Sequence, residues 1–184
     1  MKKLTMIAIN FRSAIEKAQM NNEPWYYFER FPVAQCGTTS DLLAQYLLDN
    51  GFTKVVYVNR AYSSSKLIMP IPHTWLLVEN NIIDITADQF KKYDNELYNN
   101  TPVYVGPMND FYRLFKPDNG SFHEHYGLDK NWSNYYELID AYRIILKYLK
   151  SLLYNDLIDN DDFGWNKKLY TYYKTNKVII DIWR

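Results

Sequence analysis

The stretch of sequence that decides the fold is HTWLLVENNIIDIT, His73–Thr86. It holds two β-branched and aromatic runs, His73–Glu79 and Ile82–Thr86, on either side of Asn80-Asn81. Paired asparagines tolerate the positive φ that a short hairpin loop requires. The pattern therefore predicts two adjacent antiparallel strands joined by a turn at Asn80-Asn81.

Further elements are predicted outward from this hairpin. Two more strand patterns lie at Lys54–Asn59 and Pro102–Gly106, and a last one at Lys177–Trp183. Helical spacing of apolar residues predicts three helices: Asn10–Met20, the segment between Cys36 and Gly51, and Tyr135–Leu153. The N-cap of the second helix is expected at Thr38, Thr39 or Ser40. Asp118–Ser133 has the composition of a polar loop. Strands that follow one another through short loops pair antiparallel, so we expect an α+β fold. In it, N-terminal helices pack on an antiparallel sheet, and a long helix follows near the C-terminus.

Length and composition exclude several classes of protein. With 184 residues and no linker-like segment, residues 1–184 are expected to form a single domain. Lysine plus arginine equals aspartate plus glutamate at 21 each, so no excess of positive charge favours nucleic acid or an anionic membrane as partner. No apolar run is long enough for a membrane span, and one cysteine cannot form an internal disulfide, which together favour the cytoplasm. Nucleotide-binding glycine patterns are absent, and no cofactor is expected. Nothing in the sequence decides the oligomeric state.

Three residues stand where cysteine chemistry would need them. Cys36 begins a predicted helix, whose N-terminal dipole and free N–H groups lower a thiol pKa and can hold an oxyanion. His73 opens one strand of the hairpin and could exchange a proton with the thiol. Asp84 lies on the next strand and could orient the histidine. We interpret the three as a candidate catalytic set.

The predicted turn leaves a gap between the histidine and the aspartate. With Asn80-Asn81 as the loop, Leu77 faces Asp84, and His73 lies four residues further along the strand, about 13 Å away at ~3.3 Å per residue. Strong twist or a bulge would be needed to close that distance. In this register Asp88 faces His73 and is the alternative orienting acid.

The segments FPVAQCGTTSDLLAQYLLDNGF (Phe31–Phe52) and HTWLLVENNIIDITADQF (His73–Phe90) resemble the Cys box and the His–Asp box of transglutaminase-like proteins, a branch of the papain-like cysteine-enzyme superfamily. The resemblance implies a helix with the nucleophile packed against an antiparallel sheet with His and Asp. Gly37 stands where many members have tryptophan, and Arg30 stands in the region where papain-type enzymes have an oxyanion glutamine. Gln35, beside Cys36, is the candidate oxyanion donor together with the Cys36 backbone N–H.

We therefore expect a cysteine-dependent acyl-transfer enzyme of protease, deamidase or transglutaminase type that acts on a peptide or protein substrate. The alternative is a non-catalytic binding or immunity-type protein that retains the fold. His123 and His125 form an i,i+2 pair without a clear third ligand, so no metal site is predicted. The segment Arg60–Pro72 leads into His73 and is interpreted as a flap over the site.

Overall fold

The computed structural model describes residues 1–23, 26–65, 67–93, 97–117 and 122–159. The predicted strand at Lys177–Trp183 lies outside these ranges. Five α-helices are found in them: α1 (Lys2–Met20), α2 (Tyr26–Glu29), α3 (Cys36–Asp49), α4 (Asp110–Arg113) and α5 (Tyr135–Asp159). A short 3₁₀ helix spans Ala87–Lys92. None of the helices within the described ranges has the length and apolar character needed to cross a membrane.

Five strands form one sheet in the order β4-β3-β2-β1-β5, in which every neighbouring pair is antiparallel. The strands are β1 (Val55–Tyr62), β2 (Ile71–Val78), β3 (Asn81–Asp84), β4 (Tyr104–Gly106) and β5 (Phe122–His125). The expectation of an α+β fold with an antiparallel sheet and a long helix near the C-terminus is confirmed. Strand β1 ends at Tyr62 and β2 begins at Ile71, so both strands extend into the predicted flap segment Arg60–Pro72, whose role as a flap stays a prediction.

The hairpin turn lies one residue earlier than predicted. Glu79 and Asn80 have φ of 51° and 62°, and the strands pair Val78 with Asn81 and Leu76 with Ile83. One further step along this register sets Asp84 opposite Trp75 instead of Leu77. The residue facing Asp84 therefore lies two places closer to His73 than the sequence suggested, so neither a bulge nor unusual twist is required.

The two faces of the sheet are covered differently. Helices α1, α3 and α5 pack together with one face and enclose a largely aliphatic core. The other face carries a smaller cluster rich in aromatic side chains: Val58, Trp75, Ile82, Phe90, Leu97, Tyr112 and Phe115. Burying one such large side chain stabilises the fold by about 1.5–3 kcal/mol. His73 contacts the aromatic cluster, so the site has rigid support on this face.

Two local predictions near the cysteine have opposite outcomes. Gly51 follows the end of α3 with a φ of +86°, as expected for the residue after a helix C-cap. The N-cap of α3 is Gln35, however, and not Thr38, Thr39 or Ser40.

The prediction of a loop over Asp118–Ser133 is also wrong in part, because residues 122–125 pair with β1 as the edge strand β5. Sheet pairing with β1 overrides the polar composition there.

Candidate active site

Cys36 is the first residue of α3, and its side chain is half-buried. In the described part of the chain, no side chain caps the N-terminus of this helix. The first-turn N–H groups therefore point their positive ends at the region around the thiol. This arrangement favours the thiolate over the thiol, as the sequence predicted for a helix-starting cysteine.

His73 lies on the part of β2 that extends beyond its pairing with β3, which involves only Leu76–Val78. The imidazole has no exposed surface and is surrounded by rings, with Phe90 at 4.9 Å and Phe115 at 5.3 Å between centroids. Its Nε2 lies 2.6 Å from Oδ2 of Asp84. The Cys36 side chain lies next to the imidazole and contributes to its raised pKa. Because Nε2 is bonded to the carboxylate, Nδ1 is the ring nitrogen that can exchange a proton with the sulfur; it also lies 3.2 Å from Nε2 of Gln89.

Asp84 ends β3 and is fully enclosed by hydrogen-bond donors. Oδ2 accepts from His73 and from the Tyr112 hydroxyl at 3.0 Å, while Oδ1 accepts from the Thr86 backbone N–H at 2.8 Å and the Thr86 hydroxyl at 3.0 Å. A carboxylate that accepts several such bonds stays ionised even when it is buried. Asp84 therefore holds a fixed negative charge next to the imidazole.

The pKa values follow from this chain of contacts. Burial alone would lower the pKa of His73, but the charge and hydrogen bond of Asp84, reinforced by Cys36, raise it to about 9. Burial would raise the pKa of the Cys36 thiol, but the hydrogen bond and charge of His73 and the Thr74 backbone N–H lower it below its ordinary value. Burial likewise opposes ionisation of Asp84, yet the charge of His73 and the Thr86 donors keep its pKa low. The arrangement favours a thiolate–imidazolium pair over a neutral thiol and imidazole.

The alternative orienting acid, Asp88, has a different partner. Its two carboxylate oxygens each accept a 2.8 Å hydrogen bond from the guanidinium of Arg12, which is itself buried. Arg12 also donates to the carbonyl oxygens of Ile85 at 2.7 Å and Pro102 at 2.8 Å. Asp88 thus anchors the segment after β3 to α1, and Asp84 is the carboxylate at His73.

Gln35, the predicted oxyanion donor, is buried as the N-cap of α3, and its carbonyl accepts the Thr39 N–H. Within the described residues its side-chain amide has no hydrogen bond that aims it at Cys36, so its role stays a prediction. A different glutamine reaches the site: Nε2 of Gln89, on the 3₁₀ helix, lies 3.2 Å from Nδ1 of His73.

The pair His123 and His125 lies on β5, away from the cysteine. His125 is buried, with Nε2 at 3.2 Å from Oδ1 of Asp41 and Nδ1 accepting the Gly127 N–H at 3.0 Å. Both of its ring nitrogens are therefore occupied. In the part of the chain that the structure describes, no group of three His, Cys, Asp or Glu side chains is placed to hold a metal ion.

Sequence reasoning missed four contributors to the site. These are the donors around Asp84 and the polar groups around the sulfur and imidazole: Tyr57, Thr74, Gln89 and Tyr112. Thr86, which also donates to Asp84, lies two residues further along the quoted segment His73–Phe90, so its place beside Asp84 was the available signal. Tyr112 reaches Asp84 from 28 residues away in sequence, a separation at which no local pattern could reveal it.

No protein-family model, curated protein or solved structure matches this chain.

Proposed function

We propose that this chain is a cysteine-dependent acyl-transfer enzyme with a papain-like or transglutaminase-like arrangement, in which Cys36 is the nucleophile, His73 the proton carrier and Asp84 the orienting acid. The observation that carries the proposal is the series of Cys36, His73 and Asp84: Nε2 of His73 lies 2.6 Å from Oδ2 of Asp84, and the Cys36 thiol lies next to the same imidazole. The cysteine begins helix α3, the histidine lies on strand β2 and the aspartate ends strand β3. The three residues are well separated in the sequence, and their side chains lie together in the fold.

The environment of the series supports a chemical role over a purely structural one. A histidine buried for packing alone would be expected to remain neutral, because burial penalises the charged form. Here the neighbouring groups favour the charged imidazole and the charged sulfur together. Perturbed titration of several groups that contact one another is typical of catalytic sites.

In the proposed reaction, Sγ of Cys36 attacks the carbonyl carbon of a peptide bond or side-chain carboxamide. An S–C bond forms and the carbonyl π pair moves onto oxygen. Collapse of this tetrahedral intermediate re-forms the carbonyl and breaks the C–N bond, while His73 gives its Nδ1 proton to the departing nitrogen. The thioester is then cleaved by water or by an amine, which regenerates the thiol.

The first test is the reactivity of the thiol. The protein is treated with iodoacetamide at pH 6, and intact mass is followed with time. Free cysteine, with a pKa near 8.5, is almost wholly protonated there. Cys36 should therefore react on the order of 10- to 100-fold faster. Cys36→Ala should take up no label. A rate equal to that of free cysteine would overturn the proposal and favour a non-catalytic protein that keeps the fold.

The second test separates the three reaction types. A mixture of casein and dansylcadaverine is incubated with the protein, and three products are measured: new peptide termini, released ammonia, and dansyl label on casein. Cleavage indicates a protease, ammonia without label a deamidase, and label a transglutaminase. Cys36→Ala is the control for each product, and its equal activity would contradict the proposed nucleophile.

A further inference from the structure

Tyr57 is a polar side chain beside the first turn of α3 that the reaction above does not use. It lies on β1, on the same face of the sheet as α3, and its ring stacks on His123 with centroids 5.1 Å apart. Its hydroxyl reaches over the first turn of α3. A Cβ added to Gly37 would lie only 3.3 Å from Oη of Tyr57. The hydroxyl therefore occupies the space next to the residue that follows the nucleophile.

The contacts of Tyr57 hold its hydroxyl in that position. The side chain of Thr74 lies next to the phenol of Tyr57, and the backbone N–H of the same Thr74 lies next to the sulfur of Cys36 and lowers its pKa. One residue of β2 thus neighbours both the thiol and the tyrosine. If Thr74 donates to the phenol oxygen, the phenol O–H remains available as a donor toward the space beside Cys36.

The ionisation state of Tyr57 suits a donor. Burial, with the nearby charge of Asp41, raises the pKa of Tyr57 to about 12. The phenol therefore keeps its proton at any pH at which Cys36 and His73 form their ion pair. A neutral O–H beside the free N–H groups of a helix N-terminus stabilises a negatively charged oxygen.

We propose that the Tyr57 hydroxyl donates a hydrogen bond to the oxyanion formed when Cys36 attacks a carbonyl. This inference rests on the proposed acyl-transfer function and assigns the oxyanion donor, together with the Cys36 N–H, to Tyr57 in place of Gln35. It also accounts for Gly37, because a bulky side chain at that position would displace the hydroxyl.

Two reagents distinguish an oxyanion donor from a residue that only tunes the thiolate. With p-nitrophenyl acetate, Sγ bonds to the carbonyl carbon and negative charge develops on oxygen before p-nitrophenolate leaves; water later cleaves the thioester to acetate. With iodoacetamide, the S–C bond forms as iodide leaves, and no oxyanion develops. Only the first reaction should need Tyr57.

The experiment compares wild type, Tyr57→Phe and Tyr136→Phe with both reagents at pH 7. Tyr136 is 80% exposed on α5 and is the matched control. Tyr57→Phe should slow release of p-nitrophenolate about 10²-fold, the scale seen for loss of one oxyanion donor, and should change alkylation less than twofold. Tyr136→Phe should change neither rate. Thermal unfolding of each variant checks that the fold is kept.

Equal slowing of both reactions in Tyr57→Phe would overturn the inference and make Tyr57 a positioning residue for the thiolate; no slowing would also overturn it. If Tyr57→Phe fails to fold, Thr74→Val takes its place, since it removes the hydroxyl that orients Tyr57 and keeps the backbone N–H. It should slow acylation more than alkylation, and equal effects would overturn the inference. Failure of the proposed function looks different, because wild type itself would then react no faster than free cysteine.

Discussion

Two histidine–aspartate pairs lie on this sheet, and only one has the environment of a reactive group. His73 and Asp84 are 2.6 Å apart, with side chains that are 0% and 1% exposed. His125 and Asp41 are 3.2 Å apart, and the Asp41 side chain is 23% exposed. Asp84 accepts from three other donors besides the histidine, in Tyr112 and Thr86.

The two histidines differ more in the contacts of their second ring nitrogen, Nδ1. In His125 it accepts the Gly127 N–H, which makes it an acceptor and leaves Nε2 to donate to Asp41. In His73 it lies 3.2 Å from Nε2 of Gln89, and the Cys36 side chain is the other polar neighbour of the ring. A His–Asp pair is therefore no sign of chemistry by itself; what the far nitrogen contacts decides whether a proton can move.

The largest difference between the pairs is expected in stability. Asp84→Asn leaves a buried imidazolium without its counter-charge, which should lower the free energy of unfolding by about 3–5 kcal/mol. Asp41→Asn removes a partly exposed partner and should cost about 1 kcal/mol or less. Urea denaturation followed by circular dichroism measures both values. Equal losses would show that the two pairs are energetically alike.

The second-largest difference is expected in the reactivity of the Cys36 thiol when either histidine is replaced. His73→Gln removes the proton acceptor and the positive charge beside Cys36, so alkylation by iodoacetamide at pH 6 should slow about a hundredfold, which corresponds to about 2.7 kcal/mol. His125→Gln should leave the rate within twofold of wild type. A comparable loss in both variants would mean that the site responds to the sheet as a whole.

A smaller effect is expected from pH. In Cys36→Ala, the folded chain should still hold a proton on His73 up to a pKa raised toward 9 by Asp84, whereas the unfolded chain releases it near 6.5. This contribution to stability is complete below pH 6.5 and is lost as the pH rises through the folded pKa. The free energy of unfolding should therefore fall by on the order of 1–2 kcal/mol between pH 6.5 and 9.

The double variant Cys36→Ala/His73→Gln is the control for this pH dependence. It keeps the pair of His125 and Asp41, so any slope that survives in it belongs to that pair or to the rest of the molecule. A slope equal to that of Cys36→Ala would contradict a protonated His73.

The last comparison perturbs only the pair of His125 and Asp41, and we expect almost no effect on the reactivity of Cys36. Gly127 has a φ of +101°, and a Cβ there would lie 2.8 Å from Oε1 of Gln45. Gly127→Ala should cost about 1–2 kcal/mol through backbone strain, and its N–H would shift relative to His125. Alkylation of Cys36 should remain within twofold of wild type. A marked change in the alkylation rate would reveal coupling between the two pairs.

Patterns of local sequence were sufficient for the coarse fold, and they placed Cys36 at the start of a helix and His73 and Asp84 on consecutive strands. Alternation in His73–Glu79 and the start of α3 at Cys36 are short-range signals, and both gave the correct type of element. The exact turn could not be obtained this way, because Glu79, a residue type that seldom adopts positive φ, has a φ of 51° in the turn, where the composition favoured Asn81. That single step decided whether His73 and Asp84 could meet.

Side-chain partners from distant segments were beyond prediction. Asp88 had the same chemistry and a plausible register as the orienting acid, and only its ion pair with Arg12, 76 residues away, removes it from consideration. Tyr57 was assigned to a strand without a role, because nothing local indicates that its hydroxyl lies over Gly37. Strand β5 was missed since its residues are polar and pair at the sheet edge.

We expect the long-range bonds of Arg12 to form late in folding. This side chain on α1 holds Ile85 and Asp88, the residues on either side of the Thr86 donors to Asp84, across 73 and 76 positions of sequence. Contacts of such long range close late, because the chain must lose much of its loop entropy first. Cys36 should therefore behave as an ordinary thiol in a partly folded chain and become reactive only when α1 has docked. If Cys36 is the nucleophile proposed above, it would gain its reactivity only after the protein has buried its own peptide bonds.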